Sequence, residues 1–264
     1  MRILKKILTH LLNIVLFVAI AAFAIMTAAG WEYNIKTGQI AKTSILDVTS
    51  IPQADIYLNG EKIKEETPAR LRGIKPGHYY LRLERAGYHP WEQEITIQPD
   101  LMTIIPYVHL IPQNLAERQK EIPAIPETPD TSALRDKIQK VLPTVTLKQA
   151  KIAFEPSLND FLFYDNNELW LKREKKEARL LARYQQPIDN VVFHPDFFHY
   201  FVQLENQVYF CETENPRCWE LATAATDSPL IYDKSSDSLI FQQENKYYSL
   251  SLGEDKAGFL RNFF

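Results

Sequence analysis

Glycine is scarce in this chain, with 8 in 264 residues against 16 prolines. That leaves little material for a phosphate-cradling loop, and no P-loop, dinucleotide glycine pattern, G-x-S-x-G or H-E-x-x-H occurs. Cysteine is scarcer still: Cys211 and Cys218, with no histidine at ligand spacing beside them, make a poor zinc site. Positive charge is not in excess either. Thirty Lys and Arg against 33 Asp and Glu leave a net charge of −3, which excludes the basic footprint of a nucleic-acid binder. No catalytic, cofactor-binding or metal-ligating residue is assigned on these grounds, and the chain reads as a non-enzyme.

What is present begins with one long apolar run. Arg2, Lys5 and Lys6 precede a mostly apolar stretch from Ile7 to Ala29. As a helix it would span about 34 Å, enough for a bilayer core of about 30 Å. Trp31 and Tyr33 follow, where amphipathic rings favour the membrane–water interface. The leading positive charges place the N-terminus in the cytoplasm and everything after about residue 31 outside it. Residues 1–30 are therefore expected to be a cytoplasmic start plus a single-pass signal-anchor. The rival reading is a cleaved signal peptide ending in Thr27, Ala28, Ala29 and Gly30, but signal-peptide apolar regions run only about 7–15 residues.

Residues 44–111 read as a compact β domain. Ser44–Ser50 and Ala54–Leu58 alternate apolar with polar residues, and Asn59-Gly60 is a hairpin signal. Lys75-Pro76-Gly77 makes a second turn before His78–Arg85, and Trp91–Ile97 and Thr103–Leu110 supply two more strands. The hairpin at 54–61, the Thr67-Pro68 step, and Pro76-Gly77 leading through a strand to Ala86-Gly87-Tyr88 resemble a PEGA domain. Trp91, Ile95 and Ile97 continue the likeness. The resemblance implies a small β-sandwich of the kind found in envelope and surface-exposed proteins, and it brings no active site. Tyr88 and Trp91 are either packing residues or aromatics on a binding surface.

Residues 112–144 are expected to be a Pro-rich spacer, with Pro112, Pro123, Pro126, Pro129 and Pro143 keeping it extended. Leu134, Ile138, Val141 and Leu142 fall at helical spacing within Thr131–Leu142, which predicts a short helix there.

From about 145 to 264 the sequence repeats itself every 39 residues. Phe154, Phe193 and Tyr232 stand in register (193 − 154 = 39; 232 − 193 = 39), as do Leu162/Phe201/Ile240, Asn167/Asn206/Asn245 and Trp170/Tyr209/Tyr248. Four short strand signals per unit of this length describe a propeller blade. The Phe-x-Pro at 154–156 and 193–195 resembles the strand-end turn of WD40-like and TolB-type propeller repeats. The recurring Asn is expected to occupy left-handed turn positions, with Asn206-Gln207 as the turn of the second unit. Three units fall short of the 4–8 blades of a closed ring. An incomplete, three-blade array follows, with an open edge that the tail residues Phe259, Leu260, Phe263 and Phe264 could cover or a second chain could complete as a homodimer.

Little chemistry stands out. Cys211 and Cys218 bracket a hairpin and can pair as a disulfide outside the cytoplasm; two buried free thiols are the alternative. His194 and His199 lie on either side of a turn and are not expected to act together. Glu92 and Glu94 share a strand face, and the run Lys172–Lys176 reads as the polar end of a hairpin. The fold class is mainly β, comprising a transmembrane helix, a PEGA-like sandwich and propeller-like repeats. The expected role is binding or scaffolding of an envelope protein or cell-wall polysaccharide. A sensor or accessory ectodomain is the alternative, and a glycan-active enzyme, which needs paired carboxylates about 5–10 Å apart, is the third.

Overall fold

A computed structural model describes residues 2–28, 30–34, 39–124, 151–154, 160–173, 176–215, 217–226 and 228–253. The expected helix at 131–142 and the apolar tail lie outside these residues. The chain divides into two compact units, Met1–Ala86 with Pro90–Leu110, and Gly87–His89 with Ile111–Phe264.

The first unit begins with α1 (Arg2–Ala28), 27 residues with no Gly or Pro to interrupt them. At about 1.5 Å per residue it is about 40 Å long, and it is long and apolar enough to cross a membrane. Leu12, Phe17, Phe23 and Ile25 are 66–72% exposed, so no core among the described residues covers them. Gly30, at φ 77°, ends the helix in the left-handed conformation that costs a residue without Cβ least. A short hairpin follows, β1 (Trp31–Asn34) against β2 (Gln39–Lys42).

Seven strands then form two sheets. They are β3 (Ser44–Ile51), β4 (Asp55–Leu58), β5 (Glu61–Glu66), β6 (Ala69–Ile74), β7 (Gly77–Glu84), β8 (Trp91–Ile97) and β9 (Met102–His109). One sheet has the order β6-β3-β9 and the other β5-β4-β7-β8. Alternation along β3 buries Leu46 and Val48, and the second sheet buries Ile56, Leu81, Leu83, Trp91, Ile95 and Ile97 on one face. Two sheets each buried on one face make a sandwich. Asn59 and Gly60 both have positive φ (51° and 82°), the backbone of a tight two-residue hairpin between β4 and β5. β5 and β6 escape the sequence pattern because β5 (EKIKEE) is a solvated edge strand with only Ile63 half-buried. β9 joins β3 in parallel, pairing Ile45 with Met102 and Asp47 with Ile104.

The Thr67-Pro68 step has a visible physical role. Thr67 is fully buried, and its hydroxyl meets the Ser50 hydroxyl and accepts the Ala54 N–H at 2.8 Å. The Thr67 amide returns a bond to the Ala54 carbonyl at 2.9 Å. Both the Ile51-Pro52 and Thr67-Pro68 peptides are cis.

Among the described residues the second unit holds three four-stranded antiparallel sheets resembling part of a propeller. A short 3-10 turn, Ala116–Arg118, leads into β10 (Gln119–Ile122). The first blade is β11 (Lys151–Phe154), β12 (Phe161–Asp165), β13 (Glu168–Lys172) and β14 (Arg179–Arg183). The second is β15 (Ile188–Phe193), β16 (His199–Leu204), β17 (Gln207–Glu212) and β18 (Cys218–Thr223). The third contains β19 (Ile231–Asp233), β20 (Ser238–Gln243) and β21 (Lys246–Ser251). Strands β13, β17 and β21 start at 168, 207 and 246, each 39 residues after the last. The central strands β12, β16 and β20 are almost wholly buried, which is why aromatic and branched residues recur there.

The hairpin register needs one correction. The turn of the second blade is Glu205-Asn206, not Asn206-Gln207, because Gln207 already pairs with Leu204 in β17. The residue that turns left-handed in every blade is the first of the pair: Asn166, Glu205 and Glu244, at φ 51°, 56° and 48°. The recurring Asn has another task in the first two blades. The carbonyls of Asn167 and Asn206 accept the N–H groups of Tyr184 and Ala224, just beyond the fourth strands, at 2.9 and 2.8 Å.

The third blade is closed from an unexpected direction. β10, inside the stretch expected as spacer, pairs antiparallel with β21, giving the sheet order β10-β21-β20-β19. The edge of β21 is thus covered by residues 119–122 rather than left for the C-terminal tail. Lys246 and Glu121 add an ion pair at 2.9 Å across this seam. Arg118 donates to the Gly253 carbonyl at 2.6 Å and to the Tyr88 hydroxyl at 3.0 Å, fixing the turn before β10.

Candidate functional site

The densest group of functional side chains sits on the β15–β16 turn of the second blade, in the run Phe193-His194-Pro195-Asp196-Phe197-Phe198-His199. His194 and His199 are buried (6% and 2% exposed), and the Asp196 side chain is 7% exposed. One carboxylate oxygen of Asp196 accepts the Phe198 and His199 amides at 2.8 and 3.0 Å, a local turn that Asp favours. The other lies 2.7 Å from His199 Nδ1 and 3.1 Å from His194 Nδ1. The Asp196 N–H points to His194 Nδ1 at 3.4 Å, which makes that nitrogen an acceptor. The His199 ring stacks on Phe210 at 4.8 Å, and the His194 ring meets Tyr232 edge-on at 4.9 Å.

The two histidines treated as independent in the sequence therefore act together, and Asp196 is the residue that sequence reasoning missed. Its signal was the spacing His-x-Asp-x-x-His across a Pro-containing turn. The ligand atoms of His194, Asp196 and His199 lie within 4.8 Å of one another, as a metal site requires. Their closest separations are nevertheless those of hydrogen bonds, whereas tetrahedral zinc at 2.0–2.1 Å holds its ligands about 3.3 Å apart. The group fits a hydrogen-bonded brace of the turn better than a metal cradle.

A second cluster clasps the first blade to the second. Arg173 donates to Asp160 at 2.8 Å and to the Phe197 carbonyl at 3.0 Å, and pairs with Glu214 at 3.3 Å. Arg179 joins at the same Glu214 carboxylate, at 2.9 Å. Within the Lys172–Lys176 run, Arg173 is thus an inter-blade tie rather than a solvated charge. Tyr184 and Tyr200 link the same blades through their hydroxyls at 3.0 Å. Burial raises the pKa of both phenols above the ordinary value, and pushes that of Tyr164 up to about 12. Between the second and third blades, fully buried Gln203 accepts from Asn190 at 2.9 Å and donates to the Ala225 carbonyl at 2.9 Å.

Other residues singled out in the sequence fall as follows. Cys211 and Cys218, directly opposite one another on β17 and β18, form a disulfide with Cα atoms 4.1 Å apart. Tyr88 and Trp91 are withdrawn as binding-surface aromatics: they are 6% and 3% exposed, and buried rings present no face to a ligand. Tyr88 bridges Pro112 and takes the Arg118 guanidinium over its ring at 5.4 Å. Trp31 and Tyr33 lie on β1, with Lys42 Nζ 5.5 Å from the Trp31 ring. The Tyr33 side chain lies outside the described residues.

These features define a mainly β protein with one N-terminal apolar helix, a small sandwich and a partial propeller-like array. Comparison with known proteins names the sandwich: residues 43–108 match the PEGA domain family. Among solved structures, TolB from Acinetobacter baumannii is similar at 8% identity and a TM-score of 0.31, over 78% of this chain and 54% of that one. The AfRom2 CNH domain is similar at 10% identity and a TM-score of 0.28, over 67% of this chain and 58% of that one. The chain thus spans little more than half the length of either. No curated protein matches the sequence.

Proposed function

We propose that this chain is a membrane-anchored, non-enzymatic envelope protein whose β units bind or scaffold surface components outside the cytoplasm. The observation that carries the reading is a pairing. An exposed apolar helix of 27 residues and a formed Cys211–Cys218 disulfide occur in one chain. Disulfides persist in oxidising compartments, and a lipid core is the medium that suits such a helix. The PEGA module at 43–108 agrees with an envelope setting. The buried polar clusters of the second unit support the non-enzymatic part of the reading, since Asp196 and Arg173 are engaged in bracing the fold.

The test is crosslinking of the intact chain in native membranes, followed by identification of what is captured. Capture of one abundant wall polysaccharide or structural envelope protein supports a scaffold. A transporter or kinase as the dominant partner overturns it in favour of a sensory role. Mass measurement of the mature protein decides whether α1 is retained, because a cleaved form would lack the helix.

A further inference from the structure

The outer face of the three-stranded sheet in the first unit carries an apolar strip that the sandwich core does not use. β9 is an edge strand; Met102 and Ile104 at its start are 47% and 55% exposed, and Leu101, just before it, is 55% exposed. Half-buried Ile45 is the β3 partner of Met102 and extends the strip inward. On the same face β6 exposes Arg70, paired with Asp47 at 2.7 Å, and Arg72. Apolar side chains flanked by arginine are the composition of a surface that rests in a lipid interface. An apolar edge left in water is also a site for unwanted strand pairing, so a cover is expected.

The structure ties this strip to the end of α1. Gly30, which terminates the helix, accepts the Thr43 N–H at 2.8 Å and the Thr43 hydroxyl at 2.9 Å. Two residues further along, about 7 Å of extended chain, the Ile45 N–H binds the Leu101 carbonyl at 3.3 Å. Lys42 closes a second path: its ammonium stands 5.5 Å from the Trp31 ring and pairs with the Asp100 carboxylate, next to Leu101. The strip therefore begins two residues from Thr43, which is hydrogen-bonded to the helix terminus, beside a Trp and a Lys suited to the membrane–water boundary.

We infer that Leu101, Met102 and Ile104 form a membrane seat that dips into the lipid interface beside the anchor and holds the PEGA unit against the bilayer. The inference rests on the reading of α1 as a retained span. Lipid is the occupant because the strip is continuous with the segment that enters the bilayer, and because Arg72 beside it can meet anionic headgroups.

The test uses the full chain in phosphatidylcholine–phosphatidylglycerol vesicles. The native cysteines are joined in a disulfide, so Met102→Cys supplies a single thiol for an environment-sensitive NBD label. Phe17→Cys, within α1, reports the anchor, and Tyr80→Cys, on the outer face of the other sheet, reports water. The expected result is quenching of the labels at 17 and 102 by doxyl lipids, with a blue-shifted emission, while only the label at 80 is quenched by aqueous iodide. Quenching by doxyl lipid at 17 with iodide quenching at 102 overturns the seat and leaves the anchor standing. Shielding at 102 from both quenchers means that protein covers the strip, and also overturns it. No lipid quenching at 17 overturns both readings. Ile104→Cys repeats the measurement if the label at 102 disturbs the fold.

Discussion

Replacing Asp196 with alanine should loosen the second blade more than any other single change on its turn. The carboxylate accepts the Phe198 and His199 amides at 2.8 and 3.0 Å and faces the two imidazole Nδ1 atoms at 2.7 and 3.1 Å. Alanine removes the acceptor of the two amides and the His199 contact at a site shielded from water. A hydrogen bond to a charged group contributes about 1.5–3 kcal/mol, and a buried donor left unpaired costs about 1–3 kcal/mol. Some relief comes as the imidazoles change tautomer, so the net loss is about 3–5 kcal/mol. At about 1.4 kcal/mol per factor of ten, amide exchange over 197–204 should accelerate roughly 140- to 4000-fold. Asp196→Asn keeps one carbonyl oxygen for the two amides and can offer its NH2 to an imidazole nitrogen, so only about a tenfold acceleration is expected. Hydrogen-exchange mass spectrometry of the full chain in detergent reads both. Acceleration below tenfold for alanine, or equal effects of the two substitutions, would refute the brace.

Three further outcomes are expected. Reducing the Cys211–Cys218 bond, which closes a sequence separation of 7 residues, should lower the stability of the second blade by about 2–3 kcal/mol; urea unfolding with and without reductant measures it. Thr67→Val should destabilise the PEGA unit by about 1–3 kcal/mol, because the buried Ala54 amide loses its 2.8 Å acceptor; exchange at Ala54 should rise while blade amides stay protected. The buried phenols predict an alkaline limit. Burial raises the pKa of Tyr164 from 10.0 to about 12, and Tyr184, Tyr200 and Tyr232 shift the same way. Folding thus favours the protonated phenols, so the stabilisation is complete below about pH 10 and is lost as pH climbs towards 12. Phenolate absorbance at high pH should appear together with loss of near-UV dichroism, and full ionisation of the folded protein without unfolding would contradict this.

Features governed by local chemistry were legible in the sequence. The Asn59-Gly60 turn announces itself because few other pairs accept two positive φ angles, and the 39-residue register survives because the buried centres of β12, β16 and β20 carry bulky apolar residues such as Leu162, Phe201 and Ile240. What the sequence obscured depends on partners distant in the chain. β5 is too polar to read as a strand, and β10, four residues flanked by polar and proline-rich sequence, is a strand by virtue of β21. Asp196 looked ordinary because its neighbours in space, His194 and His199, are separated in sequence by the turn that it braces. Burial of Tyr88 and Trp91 likewise depends on tertiary packing, which composition does not reveal.

The seam between β10 and β21 imposes an order on biogenesis. Gln119 pairs with Leu250, a separation of 131 residues (250 − 119 = 131). A chain emerging N-terminus first must hold residues 119–122 unpaired until nearly all of the second unit has been delivered. Contacts at such separation are late and slow to form, so the third blade closes only after β21 has been delivered. A nascent chain truncated before β21 leaves residues 119–122 without their pairing strand, and only one carrying β21 can fasten that edge.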